Sequence, residues 1–290
     1  MNSTIDRQQV SGSRVPIDGI LAVLLTIILG FLYYDVLAGL LYDWDNDPDY
    51  SHGFLVPFIS AYFVWERLKK LKTLTVNPNG WGIPFLGIGA LMLVVGSVGA
   101  ELFTQRLSLI VVLGSLVLLI LGRDFLRCFS LPIAFLVFMI PLPAIVVNTI
   151  AFPLQLFAAQ TAAFCLFNLG IPVLREGNLI YLATATLEVA EACSGLRSLM
   201  ALLALGSVYG YFSQSITWKR WALVVISIPI AILANVFRVT GTGVLANYWG
   251  PEAAEGFYHT FEGWLVFVVA FVLLLACGTL ISRINRPLGA

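Results

Sequence analysis

A helix must present roughly 20 apolar residues in a row to cross the hydrocarbon core of a bilayer, and stretches of that kind recur from one end of this chain to the other. Crossings are expected at about 18–41, 53–66, 81–103, 107–122, 125–142, 195–213 and 219–245, with an eighth at 260–282. Those at 53–66 and 107–122 are short and depend on tilt or flanking charge to reach across. With 59% hydrophobic and 11% charged residues and a mean hydropathy of +0.93, the chain is far too apolar for a soluble domain. Its 16 basic and 16 acidic residues cancel, so the lipid bilayer is the expected environment and nucleic acid is not an expected partner.

Lys and Arg near span ends mark the cytoplasmic side. Arg7 and Arg14, then Arg67, Lys69, Lys70 and Lys72, then Arg123 and Arg127, then Lys219 and Arg220, and finally Arg283 and Arg286 all fall on one side if the spans alternate. The opposite side receives Asp43, Asp45, Asp47 and Asp49, then Glu176, Glu188 and Glu191, then Glu252 and Glu255. It is acidic and faces out. One stretch interrupts the alternation, because residues 144–170 begin and end outside; broken by Asn148, Gln155, Gln160 and Thr161, they suit an interfacial or re-entrant helix, or a pair of short crossings. After it, Arg175-Glu176-Gly177-Asn178 is a turn signal ahead of a Thr- and Leu-rich run, which predicts a short extracytoplasmic hairpin.

The fold expected is therefore an all-α polytopic bundle of about eight transmembrane helices, with one re-entrant or interfacial helix and that hairpin. No repeat or linker divides it. Residues 1–16 form a cytoplasmic tail, followed by an uncleaved first span rather than a signal peptide; 17–283 form one integral-membrane domain and 284–290 a second cytoplasmic tail.

Chemistry concentrates outside. Cys128, Cys165, Cys193 and Cys277 include no CxxC pair and no histidine at ligand spacing, so neither metal nor cofactor is expected. Cys193 alone has polar flanks: it opens span six, where Ser194 can cap the helix and Gly195 leaves room for close approach. Unpaired amides at a helix start and the nearby Arg197 favour its thiolate, the nucleophilic form. Arg238 sits inside span seven near its outer end, an expensive place for a guanidinium, with Asn235 on the same helix face. His259, at the outer start of span eight, and His52, at the outer start of span two, are the two histidines, and position alone does not separate them as general base. Thiol, imidazole and guanidinium form a coherent set for acyl transfer.

These residues also carry a resemblance. Glu191-Ala-Cys-Ser-Gly-Leu-Arg197, Asn235-Val-Phe-Arg238 and His259, together with Ser51-His-Gly-Phe-Leu-Val-Pro57, Ile140-Pro-Leu-Pro143 and Gly177-Asn178, resemble the exosortase/archaeosortase family. The resemblance implies an integral-membrane cysteine protease or transpeptidase whose catalytic Cys, Arg and His are Cys193 (nucleophile), Arg238 (oxyanion or orienting group) and His259 (acid and base). It implies membrane-anchored protein substrates ending in a Pro-Glu-Pro-like motif, a transmembrane helix and a basic cluster, cleaved on the extracytoplasmic side of a bacterial inner membrane and passed to an acceptor, often in exopolysaccharide producers. A transporter or flippase, or a noncatalytic scaffold of a polysaccharide or secretion system, are the other readings a polar cluster in a helical bundle allows.

Overall fold

The computed structural model describes residues 15–189, 195–250, 252 and 263–284, and only the backbone at 15–18, 22, 195–197 and 263–265. The chain is mostly helical. Helix α1 (Val15–Leu32) and α2 (Tyr34–Asn46) meet at a 65° bend, where Tyr33 is fully buried and its hydroxyl lies 3.0 Å from Ser108 Oγ. A 3-10 segment (Pro48–Phe54) leads into α3 (Leu55–Glu66) and the short α4 (Leu68–Leu71). Next come α5 (Gly82–Val98), α6 (Leu102–Leu116) with a π turn to Leu121, and α7 (Arg123–Phe135) with a 3-10 turn to Met139. Then follow α8 (Ala144–Asn168), three short strands, α9 (Gly195–Ser213), α10 (Thr217–Trp249) and α11 (Gly263–Arg283).

By length and apolarity, 102–121, α8, α10 and the stretch 266–283 can each cross a membrane, and a fifth crossing results if α1 and α2 are one bent span. At 1.5 Å per residue, the 12 to 17 residues of α3, α5 and α7 fall short of a perpendicular crossing, so eight full spans are not established by helix length.

Tight pairs hold the bundle. In α5, Gly82, Gly89 and Gly96 recur every seven residues along the face turned to α6. A Cβ at any of them would press into Leu119, Val112 or Gln105. Bare backbone there lets the two helices close on each other, as small residues do in membrane interiors.

The ends of the helices sort onto two faces. On one, Arg67, Lys70, Arg127 and Arg220 share a cleft, and Lys219 Nζ reaches the carbonyls of Ser282 and Ile284 at 3.3 and 2.6 Å. On the same face Asn77 and Asn79 donate their amides to Leu121 and Leu118 at the end of the π turn. On the other, Trp44 Nε1 donates to the Met139 carbonyl at 2.8 Å and the Leu142 amide donates to Tyr50 at 3.3 Å. Three of the basic loops of the sequence thus gather together, while Arg7, Arg14 and Arg286 lie outside the described residues.

Residues 144–170, expected as an interfacial or re-entrant helix or a pair of short crossings, hold one continuous helix of spanning length, Ala144–Asn168. It stands alongside α10: Leu154 lies by Ala231 and Asn235, and Leu166 reaches the position a Cβ on Gly243 would take. The predicted hairpin is present and gains a third strand. β1 (Val173–Glu176), β2 (Leu179–Leu182) and β3 (Thr186–Glu188) form an antiparallel meander in which Val173 faces Leu182 and Tyr181 faces Thr186. Gly177, at φ +63°, takes the first of two turn positions, where a II′ hairpin requires glycine. Thr184 Oγ1 ties the sheet to the Ala246 carbonyl of α10 at 3.0 Å.

Candidate active site

Helices α9, α10 and α11 are held in register from their ends on the basic face. Helices α9 and α10 run antiparallel: a Cβ on Gly210 would meet Arg220, one on Gly206 would meet Leu223 and Ser227, and Leu199 shares a small cavity with Ala231 and Asn235. Four residues back from Leu199 is Gly195, the first residue of α9. The matching four-residue advance on α10 runs from 231 and 235 to 235 and 239, a window that contains Arg238.

Helix α11 is pinned in the same way. Besides the Lys219 contacts, Gln214 Nε2 donates to the Gly278 carbonyl at 3.1 Å, and Gly278 accommodates the Tyr209 ring where any Cβ would collide. Lys219 is well chosen for its place, because an ammonium satisfies carbonyls left open at a helix C-terminus and opposes their dipole. Counting outward from the Lys219–Ser282 contact, 19 residues lead to Arg238 on α10 and 19 lead to Gly263 on α11, about 28 Å along each helix. By this count the starts of α9 and α11 and the backbone of Arg238 occupy one level. Val266 and Ala270 of α11 pack with Leu199, Ala231 and Ala234 in a single apolar cluster just beneath.

Cys193, Ser194 and His259 lie outside the described residues, as does the side chain of Arg197. In sequence, Cys193 precedes the start of α9 by two residues and His259 precedes the start of α11 by four. Asn235 is 7% exposed and faces Leu154 and Leu199. Arg238 is half-buried with its Nε closed off from solvent, and its carbonyl accepts from Thr242 Oγ1 at 3.0 Å. Nearby, the Thr240 hydroxyl is buried with no hydrogen-bond partner among the described residues, a polar group that sequence reading passed over.

His52 has a different setting. Its Nε2 sits 3.1 Å from the Phe138 carbonyl, and since a carbonyl only accepts, the hydrogen is on that nitrogen. Alongside, burial pushes the Tyr50 phenol above its ordinary range, assisted by the negative charges of Asp47, Asp49 and Asp43 and opposed by the Leu142 amide. A Cβ on Gly53 would fall inside the Trp44 indole. The segment around His52 is thus bolted to residues 138–142, so two stretches far apart in sequence form one joint.

Sequence reading also missed an ion pair. Arg106 NH2 lies 2.7 Å from Asp43 Oδ2, with side-chain exposures of 4% and 29%. Arg106 is near the start of α6, away from the basic cleft, and departs from the clustering of basic residues; Asp43, 63 positions earlier, answers its charge.

A family model described as Transmembrane exosortase (Exosortase_EpsH) matches residues 44–276. The chain belongs to this family. The matched stretch includes Cys193, Arg238 and His259 as well as the joint between Trp44, Gly53 and Met139. Over 103 residues the chain is 34% identical to "Probable archaeosortase E" of Methanocaldococcus jannaschii, an alignment that takes in 36% of this chain and 52% of that protein. It therefore spans about half the length of the curated relative it matches. No solved structure matches the chain. Exosortase family membership and the apolar helices together make this a multi-pass membrane protein.

Proposed function

We propose that this chain is a cysteine transpeptidase or protease, seated in a bacterial cytoplasmic membrane, that cleaves a C-terminal sorting signal of exported proteins on the extracytoplasmic side. The observation that carries this reading is the shared level of Arg238 and the starts of α9 and α11, since those starts come two and four residues after Cys193 and His259 in sequence. Exosortase membership supports the same chemistry; the transporter and scaffold readings draw no support from it.

In this mechanism the Cys193 thiolate attacks the scissile carbonyl carbon, forming a C–S bond while the carbonyl pair moves onto oxygen. Arg238 holds that oxyanion, and its guanidinium is worth most where water is shut out. Collapse of the intermediate breaks the C–N bond, and His259 gives the departing amine its proton, leaving a thioester. An acceptor amine, or water, then loses a proton to His259 and attacks the thioester, and the thiolate leaves. No electrons are exchanged with an outside donor. The substrate is a membrane-anchored protein with a Pro-Glu-Pro-like motif, a transmembrane helix and a basic end; held with its basic end inside, it presents the motif at the outer surface. Arg197 and Asn235 position Arg238 and the substrate, and Ser194 and Gly195 shape the helix start behind the thiol.

The test is co-expression with a protein carrying that tripartite signal, following its size. Processing that disappears with Cys193→Ala supports the proposal. Processing that continues unchanged removes Cys193 as nucleophile and with it this mechanism.

A further inference from the structure

Opposite the candidate active site, the inner ends of α3, α7, α9 and α10 enclose a cleft of about 440 Å³. Its walls carry Arg67, Lys70, Arg127 and Arg220 around Tyr211, with Asp124 as the one acidic residue among the described lining. Tyr211 organises two of the cations: the guanidinium carbons of Arg67 and Arg220 lie 4.9 and 5.0 Å from its ring centroid. Arg67 also donates from Nε to the Tyr211 hydroxyl at 2.9 Å and from NH1 to the Cys128 carbonyl, and Arg220 Nε donates to the Gln214 carbonyl at 2.7 Å. These contacts fix both guanidiniums before any ligand arrives. Asp124 answers only Arg127, at 3.3 Å and largely in solvent. Four cations stand around one opening against two carboxylates, Asp124 and Glu66, the latter accepting from the Tyr211 hydroxyl at 2.6 Å, and the positive surplus makes a site for an anion with several oxygens.

The depth of the cleft says which anion. Trp65 precedes Arg67 by two residues, Trp218 and Trp221 flank Lys219 and Arg220, and the three indoles are 63%, 47% and 66% exposed. Exposed tryptophans at the end of an apolar bundle mark the headgroup layer, where their amphipathic rings settle. The cleft therefore opens at the height of lipid phosphates. Basic pockets between transmembrane helices at that height are suited to acidic headgroups.

We propose that this cleft binds the phosphodiester headgroup of an anionic phospholipid from the leaflet on the basic face. A soluble phosphate offers the same oxygens, so the test separates the two. Purified full-length protein in neutral-lipid nanodiscs is titrated with phosphatidylglycerol or phosphatidylcholine, and bound lipid is counted by native mass spectrometry. Lys70→Gln/Arg127→Gln removes two cleft charges that the packing does not depend on. Lys69→Gln/Lys72→Gln removes the same charge from residues outside the cleft. At about fivefold per basic residue, the cleft variant is expected to bind phosphatidylglycerol roughly 30-fold more weakly. The control variant should bind within about twofold of the parent, and thermal midpoints of both should match it. Equal losses in both variants, equal retention of phosphatidylcholine by the parent, or displacement of the lipid by excess inorganic phosphate would each overturn the proposal.

Discussion

The Asp43–Arg106 pair allows a sharp test of how the outer half of the bundle is held. Its two members are unequally buried, with the guanidinium 4% and the carboxylate 29% exposed at the side chain. Removing the carboxylate strands a charge that water hardly reaches; Asp43→Leu is expected to cost about 3–5 kcal/mol. Removing the guanidinium strands a carboxylate that keeps nearly a third of its surface in solvent, so Arg106→Met should cost less, about 1–3 kcal/mol. Replacing both leaves no stranded charge, and the double variant should return to within about 1 kcal/mol of the parent. The assay is a double-mutant cycle measured by reversible denaturant titration in mixed micelles, and the expected non-additivity is at least about 3 kcal/mol. Equal costs for the two single variants would refute the argument from unequal burial. A double variant whose cost is the sum of the singles would refute the pairing itself.

Three further outcomes are expected. Arg238→Lys should lower processing of a sorting-signal substrate about as far as Arg238→Ala, by roughly 100- to 1000-fold, because a point charge does not replace a guanidinium fork; near-normal turnover by the Lys variant would take Arg238 out of the oxyanion role. Gly278→Ala should lower the thermal midpoint by wedging α11 away from Tyr209, and a second change, Tyr209→Ala, should recover part of that loss; a Gly278→Ala protein as stable as the parent would show that the two helices are not in tight contact. Glu101 caps α6, and hydrogen bonds from Thr104, side chain and then backbone, with the Phe103 amide, hold its carboxyl below the ordinary range. A depressed carboxylate stabilises the fold above its unfolded value and loses that contribution as pH falls through the folded one, so Glu101→Gln should flatten the stability profile below about pH 4 and leave it unchanged in shape near neutrality.

Much of this architecture was legible in the sequence because apolar length and basic residues are local signals. The helix expected at 195–213 coincides with α9, and three of the basic loops meet in one cleft. Helix α8 was harder to read. Asn148, Gln155, Gln160 and Thr161 look like interruptions, yet Thr161 donates its hydroxyl to the carbonyl four residues back at 2.8 Å, as Thr149 does at 2.6 Å, and the Asn168 side-chain amide donates to Phe164 at 2.7 Å. Such side chains satisfy themselves against their own helix and let it continue. The third strand escaped notice because three residues carry too short an alternation to stand out. Arg106 was missed because its explanation lies 63 residues away. For the candidate site, residue chemistry pointed to Cys193 and Arg238 and left His52 and His259 open, and the family resemblance chose His259. The levelling of Arg238 with two helix starts needed the glycine contacts and the lysine clamp, which no pattern along the chain encodes.

That clamp makes α10 and α11 long lever arms. Lys219 grips the end of α11 about 28 Å from the level of Arg238. A tilt of only about 2° about that fulcrum would swing the far end by about 1 Å, a displacement of the size that can cost a hundredfold in rate. Substitutions on the basic face can therefore detune the opposite face at a distance, without touching a reacting group.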